Sequence, residues 1–324
     1  MPVIGMDLGG TKLATAVFDA AGEALYHDRV ALDGRRGTEV AALVVDRCAA
    51  ARAHLRAQGL SDADGVGVTV PGIYRAARGT VWAPNIPGWD DYPLRDELRA
   101  ALGDDLPVVI DSDRAAYILG ETWRGAAQGA RDAVFVAVGT GIGAGLLVDG
   151  RVLRGAGDIA GAIGWLALDR PFRDAYVSCG CFEHHASGAG LAKVARGLVA
   201  ADTAYAGALR DVSADTVTGH DIFAAYDHGD PIAVRVIDDA IEFWGMAAAN
   251  LVSLLNPEVV VFGGGVFGPA ARFLDRIRAE ALRWAQPISA RETRFVASTL
   301  GGDAGLYGAA RLALLERSAA ASTR

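Results

Sequence analysis

Apolar residues come in short runs broken by glycine or a charged residue, and between the runs lie longer Ala-, Arg- and Leu-rich stretches of helical spacing. VIGMDLG from residue 3, LATAVFD from residue 13 and ALYHDRVAL from residue 24 read as three consecutive strands. The spacing then predicts a helix over Glu39 to Gln58, a strand at GVGVTVPG (65–72) and a helix near Pro93 to Leu102. A strand at LPVVIDSD (106–113) and a helix at AAYILGETWRG (115–125) follow. Strands alternating with helices mark the α/β class.

The same grammar starts again at AVFVAVGTGIGAGLLVDGRVLRG (133–155): strand, Gly/Thr turn, strand, an Asp149-Gly150 turn and a third strand. Helices are predicted near 188–200 and 231–255, EVVVFGGG (258–265) reads as a buried strand, and a last helix, AGLYGAARLALLER (304–317), is expected to pack back on the first domain. Two copies of one supersecondary plan predict two similar domains facing each other across a cleft. Their expected extents are residues 1–115 with 300–324, carrying a phosphate loop and a catalytic acid, and residues 116–299, carrying nucleotide-binding turns. The boundary near 115–130 is expected to be helical, since no Pro/Ser-rich linker occurs.

A chain of 324 residues has room for two such domains, and 52% hydrophobic with 22% charged residues suits a globular protein. Apolar runs such as VVVF at 259–262 fall well short of the roughly 20 residues of a membrane helix. The N-terminus leads directly into a strand without the features of a secretory signal, so the expectation is a cytoplasmic protein without a membrane partner. A net charge of -8 argues against general nucleic-acid binding while leaving room for a local site for a polyanion such as ATP. Cys48, Cys179 and Cys181 are too few for a disulfide framework, suit a reducing compartment and leave a metal site open.

Three glycine turns each follow an apolar strand. Gly9, Gly10, Thr11 and Lys12 form a turn whose backbone amides can cradle phosphate oxygens, with the Thr11 hydroxyl and Lys12 beside them, and Asp7 at the strand end can hold magnesium through water. This is neither a P-loop nor a dinucleotide fingerprint. GTGIGAG (139–145), with Gly139, Thr140 and Gly141, repeats the device, and FGGGVFG adds Gly264 at a third strand end. Each alone is also readable as a plain turn. Asp113, after a strand and at a helix start, reads alone as a cap and, beside the three turns, as a base.

Taken together, MDLGGTK, VTVPG, APNIPGW, DSDRAAYILGE, GTGIGAG, NLVSLLNPEVVVFGGG and GDAGLYGAA resemble, in order and over nearly the whole chain, the ROK family of repressors, open reading frames and kinases. The resemblance implies two actin-like (RNase H-like, hexokinase-like) domains closing on a sugar and MgATP, and a homodimer. It assigns Asp113 as base toward a sugar hydroxyl. It assigns Gly10, Thr11, Lys12, Gly139, Thr140, Gly141 and Gly264 to the nucleotide, and places Gly72, Asn85 and Ser112 on the substrate rim. Family repressors carry a DNA-binding domain before the phosphate turn; here that turn begins at residue 7, and none is expected.

Departures from the family pattern are specific. Ser112 stands where an Asn usually precedes the catalytic Asp, and AIGW (162–165) stands where a Glu-x-Gly-His motif supplies two sugar contacts and a zinc ligand. In SCGCFEHHASG (178–188), Cys181, Glu183 and Ser187 match while the other metal-ligand cysteines do not, so structural zinc is not expected. Cys179, Cys181, His184 and His185 could in principle hold zinc among themselves, although adjacent histidines at such tight spacing seldom converge on one tetrahedral ion. Unpaired sugar hydroxyls in a closed site would cost about 1 to 3 kcal/mol each, which argues against ordinary glucose. The expected enzyme is an ATP-dependent kinase of carbohydrate metabolism. It phosphorylates a hydroxymethyl group of a non-glucose hexose, amino sugar or C7-cyclitol, with Glu183 as acidic contact and Trp165 either as an apolar platform or as plain core. The alternative is a non-catalytic sugar or nucleotide sensor of the same fold.

Overall fold

The computed structural model describes residues 2–103, 105–210, 212 and 216–322, with side chains of the final helix described to 318. The chain opens as a meander, β1 (Val3–Leu8), β2 (Lys12–Phe18) and β3 (Ala24–Ala31), followed by α1 (Thr38–Ala57), β4 (Val66–Val70) and a hairpin of β5 (Ile73–Arg75) and β6 (Thr80–Trp82). Then come α2 (Leu94–Leu102), β7 (Val108–Ser112) and α3 (Asp113–Arg124). β1 is buried almost throughout because it lies in the middle of a sheet ordered β3-β2-β1-β4-β7. β3, at the edge, alternates exposed and half-buried positions. Val40, Val44, Cys48, Ala51 and Leu55 recur at helical spacing on α1 and bury its inner face in the core with Ile4, Met6, Val68 and Trp89.

The plan repeats in β8 (Ala133–Val138), β9 (Ile142–Val148) and β10 (Arg151–Val152). α4 (Cys181–Ala186), α5 (Gly188–Ala201), α6 (Gly219–Asp227) and α7 (Pro231–Leu255) follow, then β11 (Val259–Gly263), α8 (Leu274–Trp284), α9 (Pro287–Glu292) and β12 (Arg294–Ala297). The second sheet is ordered β10-β9-β8-β11-β12, the same topology as the first. α7 is capped by Asp230, whose carboxylate accepts from the amides of Ile232 and Ala233 at 3.0 Å, and ends at Asn256 in the left-handed region. Its fully buried Trp244 donates to the Ala186 carbonyl at 3.0 Å. The final helix, α10 (Ala304–Ser322), packs on α3, β1 and β4; its backbone comes so close at Gly67 and Gly308 that a Cβ at either would collide with the Ala309 or Ala116 carbonyl.

Two compact units result: residues 1–129, 152–160 and 299–324, and residues 130–151 and 161–298. The division therefore falls at 129/130, α3 stays whole within unit 1, and nine residues read from the sequence as part of the second lobe, 152–160, belong to unit 1. Residues 323 and 324 of the expected N-terminal lobe lie outside the described residues. The third strand of the second meander is only Arg151–Val152, because the chain crosses to unit 1 there. Among the described residues no helix is long and apolar enough to cross a membrane.

Candidate functional site

In unit 1 the strand register sets Asp7 opposite Thr69 and Thr69 opposite Asp111, so the C-terminal ends of three adjacent parallel strands carry the polar groups. The Thr69 hydroxyl donates to Asp7 Oδ1 at 2.8 Å, and a Cβ at Gly305, in the first turn of α10, would lie 2.5 Å from the Asp7 Cγ. Burial pushes the Asp7 carboxyl up, against the Thr69 hydrogen bond and the charges of Lys12 and Arg29. Asp113 opens α3: its Oδ1 accepts from the Arg114 amide at 2.8 Å and its Oδ2 from the Tyr117 hydroxyl at a long 3.5 Å. Burial first, and then the negative charge of Asp7, raise its pKa to about 6, with the Arg114 charge opposing. Two carboxylates thus share one electrostatic environment at the end of the sheet.

Gly9 N donates to the Lys12 carbonyl at 2.9 Å to close the first turn, which leaves the amides of Gly10 and Thr11 with no protein acceptor among the described residues. The side chains of Thr11 and Lys12 are exposed. Gly10 meets Asn85, whose Cβ would lie 2.9 Å from a Cβ at residue 10. Gly72 opens the β5–β6 hairpin, where any Cβ would strike the Trp82 carbonyl. Ser112, assigned to the substrate rim by the resemblance, has its Oγ turned to α3, where it accepts from the Ala115 amide at 3.4 Å as the helix cap. The sequence reading missed Asp111, which is 5% exposed and receives both Nε and Nη2 of Arg154, the former at 2.9 Å. A buried acid in DSD signals the need for a cation; nothing local indicates Arg154.

Unit 2 also builds a turn with open backbone amides, without the carboxylate pair of unit 1. Gly139 N donates to the Gly141 carbonyl at 2.9 Å, and the first amides of α5, at Gly188 and Ala189, donate to the carbonyls of Gly139 and Thr140 at 2.8 and 3.4 Å. The amides of Thr140 and Gly141 are left without a protein acceptor among the described residues. Gly264, after β11, has φ 90°, and a Cβ there would run into the Val138 carbonyl. Beside this turn is a cavity of about 440 Å³, walled by Gly139, Thr140, Gly188, Ala192, Arg196, Thr218, Gly219, His220, Phe223 and Gly265 among others. Small residues at Gly188, Ala189 and Ala192 on one face of α5 keep it open. Arg196, half-buried on that same face, has no ion-pair or hydrogen-bond partner among the described residues.

Glu183 on α4 reaches the same turn: its Oε2 accepts from the Ile142 amide at 2.6 Å and would lie 2.7 Å from a Cβ at Gly141. Burial raises its pKa, with the Ile142 hydrogen bond opposing. Trp165 is 58% exposed, which removes the plain-core alternative for it. The zinc that the family motif implies does not fit this neighbourhood. Cys179 Sγ contacts the Gly180 carbonyl at 3.7 Å, His185 Nε2 is engaged by the Tyr176 hydroxyl at 2.8 Å, and no group of three or more His, Cys, Asp or Glu among the described residues is arranged to hold a metal.

Comparison with known proteins adds an independent line. The profile of the ROK family matches residues 3–316. A glucokinase of Halalkalibacterium halodurans is 33% identical over 309 residues, 94% of this chain and 92% of the relative. A ROK hexokinase from Thermus thermophilus superposes with a TM-score of 0.81 at 33% identity, covering 98% of this chain and 100% of that one. A ROK family glucokinase from Streptomyces griseus, solved in complex with glucose and AMPPNP, gives a TM-score of 0.76 at 34% identity over 97% of this chain and 100% of that one.

Proposed function

The chain belongs to the ROK family, and from that premise we propose that it is a kinase transferring the γ-phosphoryl group of ATP to a hydroxyl of a sugar or sugar-like acceptor. The observation that carries this reading is Asp113: a carboxylate with its pKa raised to about 6, coupled to Asp7, which in turn feels the charge of Lys12 on the open-amide turn. Phosphoryl transfer asks little covalent work of a protein beyond an oriented hydroxyl, balanced phosphate charge and exclusion of water.

In this reading the acceptor hydroxyl oxygen forms a bond to the γ-phosphorus, the bond to the bridging oxygen breaks, ADP leaves, and the hydroxyl proton passes to Asp113. A carboxylate of pKa about 6 is mostly ionised at neutral pH and takes the proton late, as the oxygen loses its electrons to phosphorus. In unit 1 the amides of Gly10 and Thr11 with Lys12, and in unit 2 the amides of Thr140 and Gly141 with Gly264, are each suited to phosphate oxygens, and the unit 2 cavity is suited to the nucleoside. Asp7 suits a magnesium ion held through water, since Thr69 fixes one of its oxygens and the neighbouring Asp113 adds negative charge that a cation relieves. The ion supplies neutralisation of the phosphate charge when bound.

The acceptor is set by what replaces the family's sugar contacts. Ala162 offers no hydrogen bond, the exposed ring of Trp165 offers an apolar face, and Glu183 retains an acidic contact. These features favour a non-glucose hexose, an amino sugar or a C7-cyclitol phosphorylated at its hydroxymethyl group. ATP consumption measured over glucose, other hexoses, amino sugars and C7-cyclitols tests the reading. The expected outcome is a higher kcat/KM on one of the latter classes than on glucose. Glucose as the best acceptor refutes the acceptor assignment, and retained sugar binding without turnover on any acceptor refutes the kinase in favour of a non-catalytic sensor.

A further inference from the structure

Side-chain hydrogen bonds tie the segment between Gly164 and α4 to α4 itself. Tyr176 is buried, and its hydroxyl donates to Asp169 Oδ2 at 3.0 Å while standing 2.8 Å from His185 Nε2. A hydroxyl has one proton; with that proton on the carboxylate bond, His185 Nε2–H is the donor to the phenol oxygen. Asp169 is fixed in turn by the Arg170 amide at 2.7 Å and by Arg173 at 2.8 Å. The His185 ring stacks on Phe243 of α7, 4.4 Å between centroids and 6° from parallel, and Tyr176 packs edge-on to His184 at 5.2 Å and to Phe172 at 5.9 Å. Burial, aided by the charges of His184 and Arg173 against that of Asp169, lowers the His185 pKa to about 4, so the ring carries the single proton this arrangement needs.

α4 connects this cluster to the phosphate turn. Glu183 and His185 are two residues apart, roughly 200° around a helix, so one side of α4 faces the turn and the other the tyrosine. Glu183 is held against Gly141 and Ile142, and a Cβ at Gly164 would lie 3.0 Å from the Glu183 Cβ. A shift of α4 by a few tenths of an ångström therefore moves Glu183.

We propose that Tyr176, Asp169 and His185 form a metal-independent clasp that sets the position of α4, and that Tyr176 is a positioning residue for Glu183. The part concerning Glu183 rests on the kinase reading; the metal-independence of the clasp does not. The full-length protein is tested first by elemental analysis and by thermal unfolding with and without 1,10-phenanthroline, neither of which needs turnover. Expected are far less than one zinc per chain and an unchanged Tm; stoichiometric zinc together with a Tm lowered by the chelator overturns the clasp. Tyr176→Phe keeps the ring contacts and removes both hydrogen bonds. It is expected to lower Tm and to raise the acceptor KM about three- to ten-fold, with a smaller effect on the ATP KM. Unchanged Tm overturns the clasp, whereas lowered Tm with both KM values unchanged overturns only the positioning of Glu183. If Tyr176→Phe does not fold, Asp169→Asn, which keeps one acceptor oxygen, is read by the same measurements and the same outcomes.

Discussion

The two units share one strand order, β3-β2-β1-β4-β7 against β10-β9-β8-β11-β12, yet they end their sheets in different chemistry. Unit 1 gathers ionisable side chains, Asp7, Asp111 and Asp113, at the C-terminal ends of parallel strands, each with a named partner: Thr69, Arg154 and the Arg114 amide. Unit 2 places glycines at the equivalent strand ends and lines its space with Gly139, Gly188, Gly219 and Gly265. The first arrangement suits proton transfer, which needs a group of shifted pKa; the second suits holding a polyanion, which needs backbone donors and room. One scaffold, used twice, has been specialised by which residue types terminate its strands.

The sharpest way to break this division of labour is Asp113→Asn. If Asp113 acts only as the base, kcat falls by about 10²- to 10⁴-fold while nucleotide affinity, measured by calorimetry, is unchanged. A parallel loss of nucleotide affinity would dissolve the distinction between the units. The same variant carries a stability signature. A carboxyl whose folded pKa, about 6, exceeds its unfolded value of 3.8 binds protons more readily when folded, so its contribution to stability declines as pH rises from about 4 to about 6 and stays diminished above. Asparagine removes that penalty, and Asp113→Asn is expected to unfold at a higher temperature than wild type at pH 7.

The converse test in unit 2 is Gly264→Ala. A backbone at φ 90° and ψ 171° is open essentially to glycine alone, and the added Cβ meets the Val138 carbonyl, which belongs to the neighbouring strand and cannot give way freely. A loss of about 2 to 3 kcal/mol in unfolding free energy is expected, with weaker nucleotide binding in the protein that remains folded. An alanine tolerated with unchanged stability and affinity would show that the turn does not depend on its glycine.

The acidic limb of the rate profile sharpens the comparison further, with a smaller effect. Because Asp113 must be ionised to accept a proton, kcat/KM for the acceptor is expected to be flat above pH 6 and to fall about tenfold per pH unit below it. A limb that persists in Asp113→Asn would belong to another group.

Much of unit 1's site was legible because its chemistry is local: MDLGGTK and DSD each sit on one strand end, so carboxylate, glycine and lysine appear together in the sequence. Family likeness then ordered them. Ser112 carries a role the motif does not announce, since its hydroxyl accepts from the Ala115 amide as the cap of α3. Asp111 and Arg154 are 43 residues apart, and only the return of residues 152–160 to unit 1 brings them together. Unit 2's cavity was invisible for a related reason: Ala192 and Arg196 on α5 and Phe223 on α6 look like ordinary helix positions until topology sets the two helices side by side. Short elements such as α4, six residues long, and the hairpin β5–β6 carry too few positions for a periodicity to register.

Arg196 offers the finest test of what the cavity holds. A half-buried guanidinium without an anionic partner is costly to keep, because its five donors lose water without gaining protein acceptors. An anionic or acceptor-rich ligand repays that cost, and none of the cavity's lining residues is acidic. Its Cα lies two turns beyond Gly188 on α5, about 12 Å along the axis, while helical side chains lean back toward the N-terminus, so its head group projects toward the phosphate turn. Arg196→Met keeps most of the apolar stem and removes the charge. It is expected to raise the ATP KM about five- to ten-fold, to leave the acceptor KM and kcat unchanged, and to weaken the salt dependence of nucleotide binding. A changed acceptor KM with an unchanged ATP KM would move Arg196 out of the nucleotide site.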